Sequence, residues 1–81
     1  MADAHEVLIP KLGKGIKKCK VVTWHKKTGD RVRRGDILCE IETEKAVMEI
    51  ESTSDGLLLK ILVEAGGEAT AQTPIALVGD R

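Results

Sequence analysis

The 81-residue sequence has no Phe, no Tyr and a single Trp, Trp24, so it offers no run of aromatic rings on which nucleic-acid bases could stack. Its two cysteines, Cys19 and Cys39, are too few for a disulfide framework or a zinc cluster. An intracellular, reducing compartment is the expectation. No apolar run approaches the ~20 residues that cross a bilayer as a helix. The opening, Met1 to Glu6, has no basic segment followed by an apolar one, so no secretory signal is expected. The length allows one domain, residues 1–81, and argues against an enzyme with its own substrate cleft. Residues 5–79 are expected to form the ordered core, with 1–4 and 80–81 as flexible ends.

What the chain has instead is branched aliphatic bulk. Its 22 Val, Leu and Ile residues suit strands better than helices. No segment keeps apolar residues at helical spacing over three turns, whereas short β-type runs recur between Gly, Asp, Ser and Thr. Strands are predicted at Glu6–Ile9, Cys19–Lys26, Ile37–Glu42, Ala46–Glu51, Leu57–Leu62 and Ile75–Val78, with shorter ones at Arg31–Val32 and Glu68–Ala69. This is the pattern of a small all-β sandwich or flattened barrel. A partial repeat at an offset of 37 places Gly29 on Gly66, Val32 on Ala69, Leu38 on Ile75 and Ile41 on Val78. It implies two similar four-stranded halves related by a pseudo-two-fold, joined through Ile37 to Glu51. The repeat is imperfect where Gly35 falls on Gln72.

Net charge is zero, but residues 1–36 carry ten Lys/Arg and four Asp/Glu, and residues 37–81 carry three and nine. With no aromatics among the cations except Trp24, and an acidic second half, a dipolar surface explains this better than nucleic-acid binding.

The joining segment holds the most informative pattern. With Glu44-Lys45 as the two central turn residues, Ile41 opposes Met48 and Cys39 opposes Ile50 on one face. Glu42 opposes Val47 and Glu40 opposes Glu49 on the other. A slip of one residue would bury glutamates. Alternation therefore puts Lys45 at the exposed tip of a hairpin, with Glu40 and Glu49 as an unfavourable like-charge pair. The turn lacks Asn-Gly or Asp-Gly, but a type I turn accepts Glu-Lys without positive φ. Most exposed lysines are merely solvated. This one is the sole cation between Arg34 and Lys60, and a long amine on a rigid tip suits covalent attachment. It suits catalysis poorly, because a catalytic lysine needs desolvation.

Glu42-Thr43-Glu44-Lys45-Ala46, followed by Met48-Glu49-Ile50-Glu51-Ser52, resembles the attachment motif of lipoyl domains in the acyltransferase components of 2-oxo acid dehydrogenase complexes. Ile9-Pro10-Lys11-Leu12-Gly13, Val22, Trp24, Gly29-Asp30, Gly35-Asp36, Asp55-Gly56, Gly66 and Pro74-Ile75 extend the resemblance over nearly the whole chain. The resemblance implies a flattened barrel of two four-stranded antiparallel sheets, with lipoic acid linked covalently to Lys45. Such a domain is a carrier without catalytic residues of its own, and its parent chain is a dihydrolipoyllysine acyltransferase. The implied partners are a thiamin-diphosphate-dependent 2-oxo acid decarboxylase, an acyltransferase catalytic domain, dihydrolipoamide dehydrogenase, and lipoate ligase or lipoyl synthesis enzymes. No nucleic acid, membrane or metal is implied, and the domain itself is expected to be monomeric. Pyruvate dehydrogenase is the first expectation for the complex, ahead of acetoin, branched-chain and 2-oxoglutarate systems. The implied location is cytoplasmic in bacteria and the mitochondrial matrix in eukaryotes. Glu42, Glu44 and Ala46 flank the modified lysine as ligase-recognition residues. Lys14, Lys17 and Lys18 fall in the loop by which such domains meet their decarboxylase.

Glu44 stands where the family usually has Asp, and Gln72 where it has Gly. A biotinyl domain shares the fold, but its lysine lies between two methionines, whereas Lys45 has Glu44 and Ala46. A glycine-cleavage carrier resembles a longer chain. A non-covalent interaction module is the remaining alternative. Gly13-Lys14-Gly15 fails as a phosphate loop, because the later glycine and the helix are missing. Trp24 and Cys39 are expected in the core, His25 in solvent, and Cys19 closer to the surface. Neither His5 nor His25 has a metal-ligand partner.

Overall fold

Eight strands make up the regular structure of the computed structural model, which describes residues 4–79. They are β1 (Ala4–Leu8), β2 (Lys18–Trp24), β3 (Arg31–Val32), β4 (Ile37–Glu42), β5 (Val47–Glu51), β6 (Gly56–Ile61), β7 (Glu68–Thr70) and β8 (Pro74–Gly79). The flexible ends expected at 1–3 and 80–81 lie outside the described residues. Ala4, expected with the first of them, opens β1 and pairs with Gly79. The predicted β2 ran to Lys26, but it ends at Trp24, because the Lys27 N–H donates to the Asp30 carboxylate at 2.8 Å and starts a turn.

The strands form two four-stranded antiparallel sheets, ordered β1-β8-β6-β3 and β5-β4-β2-β7. Adding four to each strand number of the first sheet, or subtracting four, gives the second. The pseudo-two-fold is therefore real, and the sequence halves interlock rather than forming one sheet each. The symmetry extends to single bonds. Gly29 N–H donates to the Leu58 carbonyl as Gly66 N–H donates to Val21, and Gly35 N–H donates to Ser52 as Gln72 N–H donates to Ile9. The bulge between Val21 and Thr23 recurs between Leu58 and Lys60. The offset of 37 relates β2–β4 to β6–β8, while β1 maps onto β5 at 43 (Ala4–Leu8 onto Val47–Glu51). The difference is taken up by the β1–β2 connection, residues 9–17, which is longer than the β5–β6 connection, residues 52–55.

Between the sheets lies the aliphatic core. Ile9, Val21, Val32, Leu38, Ile41, Leu58, Ile75 and Val78 are all fully enclosed. The bulge makes Val22 the extra, exposed residue of β2 and returns Trp24 to the inner side, opposite Cys39. Trp24 packs on the core rim and is half-buried rather than enclosed, with its Nε1–H donating to the Val63 carbonyl at 2.8 Å. Cys39 is buried as expected. Cys19 is buried too, contrary to its expected place nearer the surface, because its strand alternation puts it inward with Val21. One glycine is required by space. A Cβ on Gly56 would strike the Gly79 carbonyl of the neighbouring strand β8.

Candidate attachment site

The β4–β5 hairpin carries the site. Its register is Cys39↔Ile50, Glu40↔Glu49, Ile41↔Met48 and Glu42↔Val47, as the apolar alternation required. Cys39, Ile41 and Ile50 are buried, and Met48 is half-buried against them. That packing anchors both strands of the hairpin to the core. At the tip, Thr43 N–H donates to the Ala46 carbonyl at 2.8 Å and closes Glu44-Lys45 as the two central residues. No residue from 43 to 46 has positive φ, so the turn needs no glycine.

Thr43 is the functional residue that the sequence reading passed over. Its Oγ1 accepts the Lys45 N–H at 3.2 Å and the Ala46 N–H at 3.1 Å, and donates to the Ala46 carbonyl at 3.2 Å. A hydroxyl two residues before a turn's exposed position is a sequence signal for this bonding. It fixes the backbone from which the Lys45 side chain projects. Lys45 is exposed and, among the described residues, makes no ion pair within 4.0 Å. Its side chain is thus accessible from solvent.

The like-charge pair Glu40–Glu49 has a local counterweight. His25 Nε2 donates to Glu40 Oε2 at 2.7 Å, while the imidazole stays exposed. On the same outer face Lys20 sits between Glu42 of β4 and Glu68 of β7, an alternating ladder of charge.

Two groups of residues that are distant in sequence meet here. Lys17, the last residue of the long β1–β2 connection, and Lys18, the first of β2, line a groove of about 490 Å³ together with Glu42, Thr43 and Glu44. Lys14 is exposed on the adjoining turn, one residue before the groove-lining Gly15. Ala46 stands on the hairpin's far side of Lys45, exposed, with both its backbone groups engaged by Thr43. Cys19 lies at the groove floor, where burial raises its pKa and keeps it a thiol. Among the described residues no His, Cys, Asp or Glu cluster has a metal-binding arrangement.

The model of the biotin/lipoyl attachment family, described as "Biotin-requiring enzyme", matches residues 5–78. The chain belongs to this family. It is a lipoyl domain of the type carried by 2-oxo acid dehydrogenase components. It is 46% identical over 65 residues to the dihydrolipoyllysine-residue succinyltransferase component of the 2-oxoglutarate dehydrogenase complex of Haemophilus influenzae, covering 80% of this chain and 16% of that protein. It is 45% identical over 67 residues to the mitochondrial pyruvate dehydrogenase protein X component of Mus musculus, covering 83% of this chain and 13% of that protein. The chain therefore spans about one-seventh of the length of these relatives. The solution structure of the lipoyl domain of the 2-oxoglutarate dehydrogenase complex from Azotobacter vinelandii superimposes with a TM-score of 0.73 at 30% identity, covering 90% of this chain and 92% of that one.

Proposed function

We propose that Lys45 is lipoylated on Nζ and that the domain presents the lipoyl arm to the active sites of a 2-oxo acid dehydrogenase complex. The observation that carries this reading is a solvent-exposed lysine on a two-residue tip whose backbone is clamped by Thr43. An amide between Nζ and the carboxyl of lipoic acid requires an accessible amine, and the tip supplies one. Once bound, the dithiolane supplies the acyl-carrying and redox chemistry. The protein's residues hold its root and expose its length. Tethering keeps the arm at high local concentration near each partner site.

The parent chain in this reading is a dihydrolipoyllysine acyltransferase, and the complex is first a pyruvate dehydrogenase. The relatives include a pyruvate dehydrogenase protein X component and a 2-oxoglutarate dehydrogenase component. The partners are the thiamin-diphosphate-dependent decarboxylase, the acyltransferase domain, dihydrolipoamide dehydrogenase and a lipoate ligase. Glu42, Glu44 and Ala46 are what the ligase reads around Lys45. Lys14, Lys17 and Lys18 are what the decarboxylase reads. The cytoplasm of a bacterium, or the mitochondrial matrix, is the location that fits such a complex.

Co-expression with a lipoate ligase, followed by intact mass, tests the cofactor. One lipoyl increment is expected. A biotinyl increment, or none under conditions that modify a control lipoyl domain, overturns the reading.

A further inference from the structure

We infer that the groove between the β1–β2 connection and the hairpin tip is a resting site for the domain's own lipoyl arm. This inference rests on the lipoylation of Lys45 proposed above. Three observations carry it. First, the groove is a concavity of about 490 Å³ whose rim includes Thr43 and Glu44, the two residues preceding Lys45. Two Cα steps span at most about 7.6 Å. A lysine side chain extended by a lipoyl group reaches well beyond that, so the arm can fold back into the groove without distorting the turn.

Second, the opposite wall offers the dithiolane an apolar surface. Ile16 is half-buried, packs against the core from outside and lines the groove. Lys17, Lys18 and Lys20, with Glu42, Glu44 and Glu68, supply the charged part of the lining, and the methylene stems of the lysines continue the apolar wall. The neutral, sulfur-containing ring gains from contact with such a surface and loses no hydrogen bonds there. Third, the groove's only sulfur nucleophile is disarmed. Cys19 on the floor is buried and protonated, so it does not attack the disulfide of a resting ring.

A weak site suffices. A short tether gives an effective concentration in the millimolar range, so an intrinsic dissociation constant of about 1 mM leaves the arm docked about half the time. Such an arm is shielded between visits to partner enzymes yet released readily.

The test compares amide spectra of the 81-residue domain before and after lipoylation, with the modification verified by intact mass. Docking predicts shifts at Ile16, Lys17, Lys18 and Cys19 as well as at residues 44–46. It also predicts proton–proton contacts between the arm's methylenes and the Ile16 methyl groups. Ile16→Ser should abolish the shifts at 17–19 but keep those at 44–46, and should speed reduction of the ring by a water-soluble phosphine about twofold. Shifts confined to residues 43–47 in the lipoylated wild type overturn the docking and leave the carrier reading standing. Failure to acquire the lipoyl mass overturns the carrier reading, and the docking with it.

Discussion

Gln72 occupies a backbone conformation, φ 66°, that L side chains rarely adopt. It stands where the pseudo-two-fold requires it, because the equivalent Gly35 has φ 93° and its N–H donates the equivalent backbone hydrogen bond. The turn is thus preserved rather than altered by the departure from glycine, and the side chain bears the strain. Gln72→Gly should raise stability by about 0.5–1 kcal/mol, the relief of αL strain exceeding the added entropy of the unfolded chain. In a domain of this size that is about 3–6 °C in Tm by thermal unfolding. Cys39 gives a pH signature. Burial, with smaller contributions from Cys19 and Glu40, pushes its thiol up from 9.0 to about 12. Above pH 9 the unfolded chain releases a proton that the folded chain retains, so unfolding becomes easier as pH rises. Urea midpoints should be flat below about pH 8.5 and fall from about pH 9 toward 12, with a shallower fall in Cys39→Ala. Equal slopes would show that Cys39 does not govern this titration.

The β4–β5 hairpin was the most legible element in the sequence, and for a physical reason. Apolar residues at 39, 41, 48 and 50 against glutamates at 40, 42 and 49 permit only one register without burying charge. The turn residue that orders the tip was not legible in the same way. Thr43 acts through its hydroxyl, and hydropathy patterning does not register a hydroxyl. Bulges were invisible for a related reason, since they leave composition unchanged while shifting register by one residue; hence the exposure of Val22 and the rim position of Trp24. Thr43→Val should keep the strands but free the Lys45 and Ala46 amides. Losing about 1 kcal/mol of tip order corresponds to a roughly fivefold slower initial rate of lipoylation, which Thr43→Ser should restore. Ligase assays at limiting substrate measure this directly, and an unchanged rate in Thr43→Val would remove Thr43 from the account.

At the scale of the whole molecule, function shows as broken symmetry. The pseudo-two-fold exchanges the hairpin tip, beyond Glu42↔Val47, with the Gly79↔Ala4 pair of β8 and β1. The surplus length of the first half lies in the 9–17 connection, which the fold folds against that tip. This juxtaposition follows from sheet order, which strand patterning alone does not specify, although the resemblance to lipoyl domains implied it. Cations at 14, 17 and 18 beside anions at 42 and 44 should govern partner encounter more than stability. Reversing Lys14, Lys17 and Lys18 to Glu should leave lipoylation intact and slow reductive acylation by the cognate decarboxylase. The difference should shrink as salt shortens the reach of the charges to about 3 Å at 1 M. Equal rates at low salt would make the loop a solvated surface. The central claim is that one lysine among nine carries the cofactor. Peptide mapping of the ligase-modified domain by tandem mass spectrometry tests it most directly. The account predicts the lipoyl increment on Lys45 alone, and none in Lys45→Arg. An increment on any other lysine, or full modification of Lys45→Arg, would contradict it.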